Sequence, residues 1–305
     1  MFTAWLLGWL LLSQIYPSAG ILPVDFSHSD LPDIEAAPAA STGAPRRITD
    51  PLSLGVQLTA RNFLALDVDS RAVLFSQDAY RAVPIASLTK LMTGLLLAES
   101  QHAPDQLITM KAEDEVGGSR LALATDEAVA FQDLFIASLI ASGNNGIAAL
   151  VRSSSSTRDA WVTAMNAKAR QLGMSQTQFF DPTGLDPRNV STAHDISLLA
   201  IVAFRQPQLK NALLQSHYNF RTATGRSMTV FSTDQLLGSF LNKAGEYRME
   251  GGKTGYLPEA GYCLATEIVK DGHHIITVVL GSRTLADRFQ DTKSLAYWVF
   301  NNYQW

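Results

Sequence analysis

The stretch from Pro84 to Ala98 constrains the fold more than any other part of this 305-residue chain. Its residues are apolar on almost every side of a helix, and such a helix is buried in the middle of a domain. Proline suits the first turn of a helix, where its missing N–H costs nothing. The sequence therefore predicts a central helix that includes Pro84 in its first turn, with the rest of the domain packed around it.

Two residues, Ser87 and Lys90, interrupt the apolar character of this helix. They are three positions apart and therefore share a helix face. Burial among leucines favours the neutral amine of a lysine and lowers its pKa. A neutral amine beside a serine hydroxyl can accept its proton, so Ser87 is a candidate nucleophile and Lys90 its candidate base. The alternative is structural: Ser87 caps the helix, and Lys90 extends its amine to solvent.

Strand patterns lie at both ends of the folded region, and helical patterns lie between them. Near the amino end, the apolar runs 63–68 and 72–75 flank a polar turn, which predicts a hairpin. Near the carboxyl end, the runs 262–266 and 274–280 flank Asp271-Gly272, a strong hairpin signal. This order predicts an α+β fold, in which both chain ends form one antiparallel sheet and a mainly helical insert lies on one side.

The remaining periodicities fill in this scheme. Residues 142–146 are typical of a polar turn between apolar segments, and 215–231 of a short strand pair. Further helices are predicted at 128–139, 147–151, 159–172 and 285–300. Another is predicted to begin at Ser191-Thr192 with Asp195, and residues 196–204 are its apolar body.

The chain divides into three predicted parts. Residues 1–20 contain an apolar core followed by small residues, which predicts a signal peptide cleaved after Gly20; an uncleaved membrane anchor is the alternative. Residues 21–53 are rich in Pro, Ala, Ser and Asp without periodicity, which predicts a flexible linker. The folded domain is predicted to span 54–305.

The net charge and the cysteine content exclude several classes of partner and of site. A net charge of -4 offers no basic surface, so we do not expect nucleic acid as a partner. The single cysteine, Cys263, cannot form a disulfide within the chain or build a cysteine-based metal cluster. It lies in an apolar strand pattern and is predicted to be a core residue. We expect no metal site and no cofactor.

Two other short stretches are candidate sites. One is Ser142-Gly143-Asn144, which alone would be an ordinary polar turn. The other is Lys253-Thr254-Gly255, preceded by two further glycines at the entry of a strand. Glycine allows a ligand to approach the backbone closely, and the lysine offers a cation to a carboxylate. Taken alone, Lys253 would be an exposed lysine on an edge strand.

In this order, Ser-x-x-Lys, Ser-x-Asn and Lys-Thr-Gly resemble the motif set of penicillin-recognising serine enzymes. The chain is most similar to the D-alanyl-D-alanine carboxypeptidase and endopeptidase family, from about Leu54 to its carboxyl end. Lys-Thr-Gly-Tyr followed by Glu-Ala-Gly is most similar to the small endopeptidases. The other stretches that carry the resemblance are Trp161-Val162, Met165-Asn166, Leu172-Gly173-Met174, Gly184-Leu185, Thr192-Ala193-His194-Asp195 and Glu259-Ala260-Gly261-Tyr262.

The resemblance implies a β-lactamase/transpeptidase-like fold and a role for each motif residue. Ser87 would attack the carbonyl between two D-alanines, or the corresponding cross-link bond, and become an ester after Lys90 takes its proton. Ser142 would relay protons toward the leaving amine, and Asn144 would orient Lys90 and the substrate amide. Lys253 would hold Ser142 and the substrate carboxylate in a positive field.

The residues after Lys253 would also contact substrate. Thr254 would offer a hydroxyl, Gly255 would allow close approach, and the backbone N–H groups of Ser87 and Tyr256 would form the oxyanion hole. The implied partners are peptidoglycan peptides and, as covalent inhibitors, β-lactams. The implied location is the periplasm, with peripheral contact to the inner membrane possible through the carboxyl-terminal Tyr303-Gln304-Trp305; packing of these residues is the alternative. The oligomeric state stays open.

Three alternatives remain at this point. Carboxypeptidase and endopeptidase activity differ only in the group attached to the carboxyl side of the D-alanine. A β-lactamase or esterase of the same fold is a second interpretation, but there is no Glu between Ser142 and Glu246 to activate water as in a class A β-lactamase. A non-catalytic wall-binding protein is the third. Asn145 stands where the family has Asp, which leaves local helix capping in question.

Overall fold

The computed structural model describes residues 43–48, 55–100, 102–154, 157–243 and 245–305. The predicted signal peptide at 1–20 and most of the predicted linker at 21–53 lie outside the described residues.

Seven α-helices lie in these ranges. They are α1 (Thr89–Glu99), α2 (Phe131–Ile140), α3 (Asn144–Ser153), α4 (Arg158–Gln171), α5 (Ala193–Ala203), α6 (Pro207–Leu213) and α7 (Leu285–Asn302).

Thirteen strands, several of only two residues, lie in the same ranges. They are β1 (Arg46–Arg47), β2 (Asn62–Asp67), β3 (Val73–Gln77), β4 (Val83–Pro84), β5 (Leu107–Thr109), β6 (Ala128–Ala130), β7 (Val190–Ser191), β8 (His217–Arg221), β9 (Ser227–Phe231), β10 (Arg248–Leu257), β11 (Gly261–Lys270), β12 (His273–Ser282) and β13 (Tyr303–Gln304).

The central sheet joins the two ends of the domain, as predicted. Its five antiparallel strands lie in the order β10-β11-β12-β2-β3. The long hairpin between β11 and β12 turns at Asp271-Gly272, where both residues have positive φ, the geometry that this dipeptide favours. Strand β2 then pairs with β12, so the first long strand of the domain closes against the last. The α+β prediction is confirmed.

The sheet separates two apolar cores because its side chains alternate between faces. On β12, Ile276 and Val278 pack into the larger core with the helices that precede β8. Ile275 and Val279 point to the other face and pack into a smaller core against α7. Helix α1 is buried along most of its length in the larger core, so the predicted central helix has its expected place.

The predicted start of that helix is wrong. Pro84 lies in the short strand β4 and pairs with Val190, and a 3-10 turn at Ala86–Leu88 precedes the first residue of α1, Thr89. Proline biases the residue before it, Val83, toward extended backbone, which suits a short strand. The helix therefore starts five residues later than predicted, and Ser87 lies in the turn that leads into it.

Two other predicted boundaries are also wrong. Residues 128–130 form strand β6 with β5, so the predicted helix begins only at Phe131. Asn144 and Asn145, predicted in a turn, are the first residues of α3. In both places a tertiary contact decides a junction that polarity and periodicity do not resolve.

Strand β1 consists of two residues, Arg46 and Arg47, that were predicted to belong to the linker. Arg46 and Arg47 pair with Gln304 and Tyr303, and Arg47 lies over the ring of Trp298.

None of the helices in the described ranges combines the length and hydrophobicity needed to cross a membrane.

Candidate active site

The turn that carries Ser87 is held in an unusual backbone conformation. Ala86 has φ +49°, a left-handed value that side chains disfavour, and half-buried Ser87 follows it. Gly184 packs directly against this turn: a Cβ at position 184 would lie 2.2 Å from the Ala86 carbonyl oxygen. Strained backbone in folded proteins clusters at functional sites, where the surrounding structure must maintain it.

Lys90 lies one turn further on and is completely buried. Its Nζ lies 2.9 Å from Ser87 Oγ, 2.6 Å from Asn144 Oδ1 and 2.6 Å from the Thr183 carbonyl oxygen. Burial lowers the pKa of Lys90 to about 7, an effect that the negative charge of Asp181 partly opposes. A large fraction of the lysine is therefore neutral at physiological pH, which meets the first requirement for a general base.

The loop of residues 181–184 contacts Lys90 through the Thr183 carbonyl, a role that the sequence of the loop does not reveal. Asp181-Pro182-Thr183-Gly184 is typical of a turn. Asp181 Oδ1 accepts hydrogen bonds from the Thr183 N–H at 2.5 Å, the Thr183 hydroxyl at 2.7 Å and the Gly184 N–H at 2.7 Å. The amide nitrogen of Asn189 binds the Asp181 carbonyl oxygen and Thr89 Oγ1. These bonds orient the Thr183 carbonyl toward Lys90.

The second motif, Ser142-Gly143-Asn144, lies at the junction of α2 and α3 and also contacts Lys90. Ser142 has φ +56° and is buried, and its Oγ accepts a 3.0 Å hydrogen bond from Lys253 Nζ. Asn144 is oriented by its other amide atom, since Nδ2 donates to the Gly117 carbonyl at 2.9 Å. The oxygen of Asn144 is thereby fixed toward Lys90.

The Gly117-Gly118 loop has a structural part in the site that its sequence did not indicate. A Cβ at position 118 would lie 2.6 Å from Asn144 Nδ2, so only glycine leaves room for this amide. Asn145 fixes the same loop, because its Nδ2 donates to Glu115 Oε1 and to the Leu121 carbonyl. An aspartate could not donate these two bonds, which gives the asparagine at this position a physical reason.

The third motif lies on β10, beside the Ser87 turn. Lys253 is buried, and burial lowers its pKa well below the usual value; the positive charges of Lys90 and Arg288 lower it further, and Asp234 opposes them. Thr254 Oγ1 lies 2.6 Å from Thr233 Oγ1. A Cβ at Gly255 would lie 3.2 Å from the Ser87 backbone nitrogen, so the strand passes very close to the candidate nucleophile.

At the end of this motif, Tyr256 is half exposed and stacks on Tyr262 with ring centroids 4.3 Å apart. The structure thus brings the three motifs together around Ser87 and Lys90. Tyr256 directly follows Gly255 on the same strand and lies at the edge of this group.

Two buried charged residues near this strand were not among the predicted site residues. Arg288, on α7, donates from Nη1 to the Gly255 carbonyl at 3.1 Å. Asp234 faces Gly252, where a Cβ would lie 2.2 Å from its Oδ2. Burial raises the pKa of Asp234 to about 6, although its hydrogen bond from Leu236 and the charges of Arg288 and Lys253 oppose that shift. An inward register on α7 could have indicated Arg288; no sequence signal indicated Asp234.

These contacts describe one serine and one neutral lysine beside a strand that carries a second buried lysine, Lys253. The sequence pattern of the D-alanyl-D-alanine carboxypeptidase family matches residues 47–284. The chain belongs to this family. It is a serine hydrolase, and the resemblance inferred from its motifs is confirmed.

Known members of the family are similar over most of the chain. A D-alanyl-D-alanine endopeptidase of Pseudomonas aeruginosa is 29% identical over 275 residues, which cover 87% of this chain and 84% of that protein. The Streptomyces K15 DD-transpeptidase is 27% identical, with a TM-score of 0.74 over 81% of this chain and 99% of that one. Penicillin-binding protein D2 of Listeria monocytogenes, solved with cefotaxime bound, is 30% identical, with a TM-score of 0.70 over 80% and 98%. The β-lactamase/transpeptidase-like fold is confirmed.

Proposed function

We propose that the protein is a serine D,D-peptidase that cleaves the bond on the carboxyl side of a D-alanine in peptidoglycan stem peptides. The observation that carries this proposal is the set of three contacts around Lys90 Nζ, one of which is the Ser87 hydroxyl. Together with the pKa of about 7, they give Lys90 the geometry and the protonation state of a base.

The direction of proton transfer, from the Ser87 hydroxyl to Lys90, follows from the other two partners of the Lys90 amine. The Thr183 carbonyl oxygen can only accept a hydrogen bond, and so can Asn144 Oδ1. A neutral amine has two N–H bonds, which satisfy these two acceptors at 2.6 Å each. Its lone pair is then left for the Ser87 hydroxyl proton at 2.9 Å. The neutral lysine is thereby oriented to accept that proton.

The acylation step uses this pair. Ser87 Oγ attacks the D-alanine carbonyl carbon as its proton passes to Lys90, and the carbonyl oxygen becomes an oxyanion. The backbone N–H groups of Ser87 and Tyr256 stabilise that charge. The close passage of β10 at Gly255 supports this role, because it brings the strand against the Ser87 backbone nitrogen.

Departure of the amine completes the acyl-enzyme. The C–N bond breaks, Ser142 passes its proton to the leaving nitrogen, and the proton that Lys90 took from Ser87 replaces it on Ser142, so that Lys90 is neutral again. The hydrogen bond from Lys253 uses an acceptor position of Ser142 and leaves its hydroxyl proton available. Water then attacks the ester carbonyl and gives a proton to Lys90, which returns it to Ser87 Oγ as the ester C–O bond breaks and the D-alanine carboxylate is released. The same first step, applied to a β-lactam, opens the ring and leaves a covalent adduct.

Recognition of the substrate is assigned to the residues on β10 and to Arg288. A terminal carboxylate would be held by the positive charge of Arg288, by the Thr254 hydroxyl and by Lys253, whose protonated form the bound carboxylate would favour despite the lowered pKa of this lysine. Desolvation strengthens such a pairing because the cations are buried. Asn144 orients the substrate amide as well as Lys90.

The similarity of this chain to the P. aeruginosa D-alanyl-D-alanine endopeptidase supports a cross-link bond as its first candidate substrate, and a terminal D-alanine is the second candidate. We also propose that residues 1–20 export the chain to the periplasm, that 54–305 form the catalytic domain and that 21–53 form a linker, of which Arg46–Arg47 pair with the end of that domain. Packing of the carboxyl end supports a structural role for it, since Trp305 donates to Asp67 Oδ1 at 2.7 Å and stacks on His273.

Incubation with purified muropeptides tests the reaction and separates its two forms. We expect conversion of cross-linked dimers to monomers for an endopeptidase, and loss of one D-alanine from pentapeptide monomers for a carboxypeptidase. The Ser87→Ala variant, with an unchanged circular dichroism spectrum, is the control and should leave both substrates intact. Failure of the folded wild-type protein to cleave either substrate would contradict the proposal.

A further inference from the structure

The hairpin of β8 and β9 presents one exposed face, which we call the outer hairpin face. Alternate residues of both strands point outward, and their inward neighbours, such as Phe220 and Val230, are buried in the larger core. The residues of the outer hairpin face are His217, Asn219, Arg221, Ser227, Thr229 and Phe231.

This face begins at the candidate active site. Two residues after Phe231, the Thr233 N–H donates to the carbonyl oxygen of Ile140, which ends α2. The hydroxyl of Thr233 contacts Thr254 of the third motif at 2.6 Å. At the other end of the hairpin, the Ala223 N–H binds Ala128, just before α2. The hairpin therefore lies along α2, with Phe231 at the end near the site and Arg221 at the far end.

The hairpin is fixed in place without using its outer face. Tyr218 Oη donates to Asp133 Oδ1 on α2 at 2.6 Å. Arg226, at the far end, forms an ion pair with Glu127 and donates to the Ala122 carbonyl at 2.9 Å. A ligand would meet a face whose backbone is already ordered, so little conformational entropy would be lost on binding.

The side chains of the outer hairpin face fit a carbohydrate-peptide polymer. Phe231 is 70% exposed and lies beside its cross-strand partner His217, with ring centroids 6.4 Å apart. Next along the face, Thr229 donates to Asn219 Oδ1 at 2.7 Å, which leaves the Asn219 amide hydrogens for a ligand. Arg221 adds a guanidinium that can bind a carboxylate.

The face is longer than the reacting group. Four residue steps of about 3.3 Å give it a length of roughly 13 Å. A dipeptide spans about 7 Å when fully extended. A ligand that covers the face must therefore continue beyond the bond being cleaved.

We propose that the outer hairpin face binds the peptidoglycan polymer next to the scissile peptide, with a sugar ring against Phe231 and a stem-peptide carboxylate at Arg221. This inference rests on the proposed function, because the face is continuous with the candidate site through Thr233 and Thr254. It assigns the hairpin to recognition of polymeric substrate, whereas the residues around Ser87 carry out the reaction.

Comparison of a polymeric with a small substrate tests this assignment. We expect the Phe231→Ala and Arg221→Ala variants to lose at least tenfold in kcat/KM on intact peptidoglycan sacculi, mainly through KM. With a soluble peptide that ends in D-Ala-D-Ala, and in penicillin acylation, the loss should be under twofold. Tyr297→Ala is the matched control, since Tyr297 is a 56% exposed aromatic on α7.

Co-sedimentation with sacculi separates binding from catalysis. In a Ser87→Ala background, the Phe231→Ala and Arg221→Ala changes should lower the bound fraction, and Tyr297→Ala should not. Unchanged sedimentation, or an equal loss on the polymer and the small peptide, would overturn the inference. A wild-type protein that binds sacculi through this face but cleaves nothing would contradict the proposed function and leave the face supported.

Discussion

Lys90 illustrates how burial makes an ordinary residue chemically useful. Its amine is enclosed by Ser87, Asn144 and the Thr183 carbonyl, and among the described residues no acidic side chain bonds it directly. Loss of hydration therefore has the largest effect on its pKa and brings it to about 7. A carboxylate in direct contact would have kept the amine charged and useless as a base.

The acylation rate should follow the protonation of Lys90. Below its pKa of about 7 the amine is charged and cannot accept the Ser87 proton, so we expect the rate with penicillin to fall about tenfold for each pH unit. Above pH 7 the rate should level off. Stopped-flow measurement of acylation between pH 5 and 9 tests this, and a rate that is constant across that range would contradict the assigned base.

The raised pKa of Asp234 leads to a second, independent prediction, which concerns the pH dependence of stability. Its pKa is about 6 in the folded protein and 3.8 as the reference value, so ionisation opposes folding above pH 4 and does so fully above pH 6. A pKa difference of about two corresponds to roughly 3 kcal/mol as an upper limit. The Asp234→Asn variant keeps an oxygen for the Leu236 N–H and removes the charge.

We therefore expect Asp234→Asn to raise the melting temperature at pH 7.5 and to leave it nearly unchanged at pH 4. Thermal unfolding followed by circular dichroism at the two pH values measures this. The same change in stability at both values would mean that the charge of Asp234 is not the cause.

Sequence reasoning located the reactive groups but not the residues that support them. Ser87, Lys90 and Lys253 carry their chemistry in their side chains, and their motifs occur in a recognisable order. Asp181 acts through backbone N–H groups and the orientation of one carbonyl, which leave no pattern in a single sequence. Arg288 is distant from the third motif along the chain and reaches it only because α7 packs across the sheet.

At the level of elements, the turn before α1 depends on a glycine in a different loop. Gly184 has φ +84° and packs against the Ala86 carbonyl, which leaves no space for a side chain. Gly225, in the turn between β8 and β9, has nearly the same φ of +86° but no atom within 4 Å of its Cβ position. The two positions differ in contact and not in backbone strain.

Substitution by alanine should separate these two effects. Both Gly184→Ala and Gly225→Ala should lose about 1–2 kcal/mol from left-handed strain. Only Gly184→Ala should also displace the Ser87 turn, and we expect its penicillin acylation rate to fall at least a hundredfold. Comparable acylation rates for the two variants would show that the Ser87 turn does not depend on this contact.

The element boundaries show where periodicity stops being informative. The bounds of β2, β12, α4, α5 and α7 match the predictions within two residues because a continuous apolar face determines these elements. Strand β11 continues to Lys270, four residues beyond its predicted end. The start of α1 does not match its prediction, because Val83 and Pro84 pair with a strand that is distant in the chain. The capping of α5 was indicated locally, and Thr192 Oγ1 does accept from the Asp195 N–H at 2.9 Å.

At the scale of the molecule, the two ends of the domain are joined by one buried carboxylate. Asp291, on α7, accepts from the Thr59 and Ala60 N–H groups at 2.9 Å each and from the Ser282 hydroxyl at 2.7 Å. It thereby links the segment before β2, the end of β12 and the closing helix. The antiparallel sheet was predictable from strand patterns, but this link was not.

Removal of this carboxylate should weaken the whole domain. Asp291→Ala leaves two backbone donors without partners, and we expect a loss of roughly 3 kcal/mol in the free energy of unfolding. Urea denaturation measures it. Gln290→Ala, at the exposed neighbouring position, is the control and should change the stability by less than about 0.5 kcal/mol. Equal stability of the two variants would show that Asp291 is dispensable.

The central claim is that Ser87 is a nucleophile activated by Lys90. Its most direct test is mass spectrometry of the folded protein after incubation with benzylpenicillin, with peptide mapping of any adduct. We predict one penicilloyl group on Ser87, none on Ser87→Ala, and acylation slower by at least a thousandfold in Lys90→Met. A folded wild-type protein that stays unmodified, or that carries the adduct on another residue, would contradict the claim.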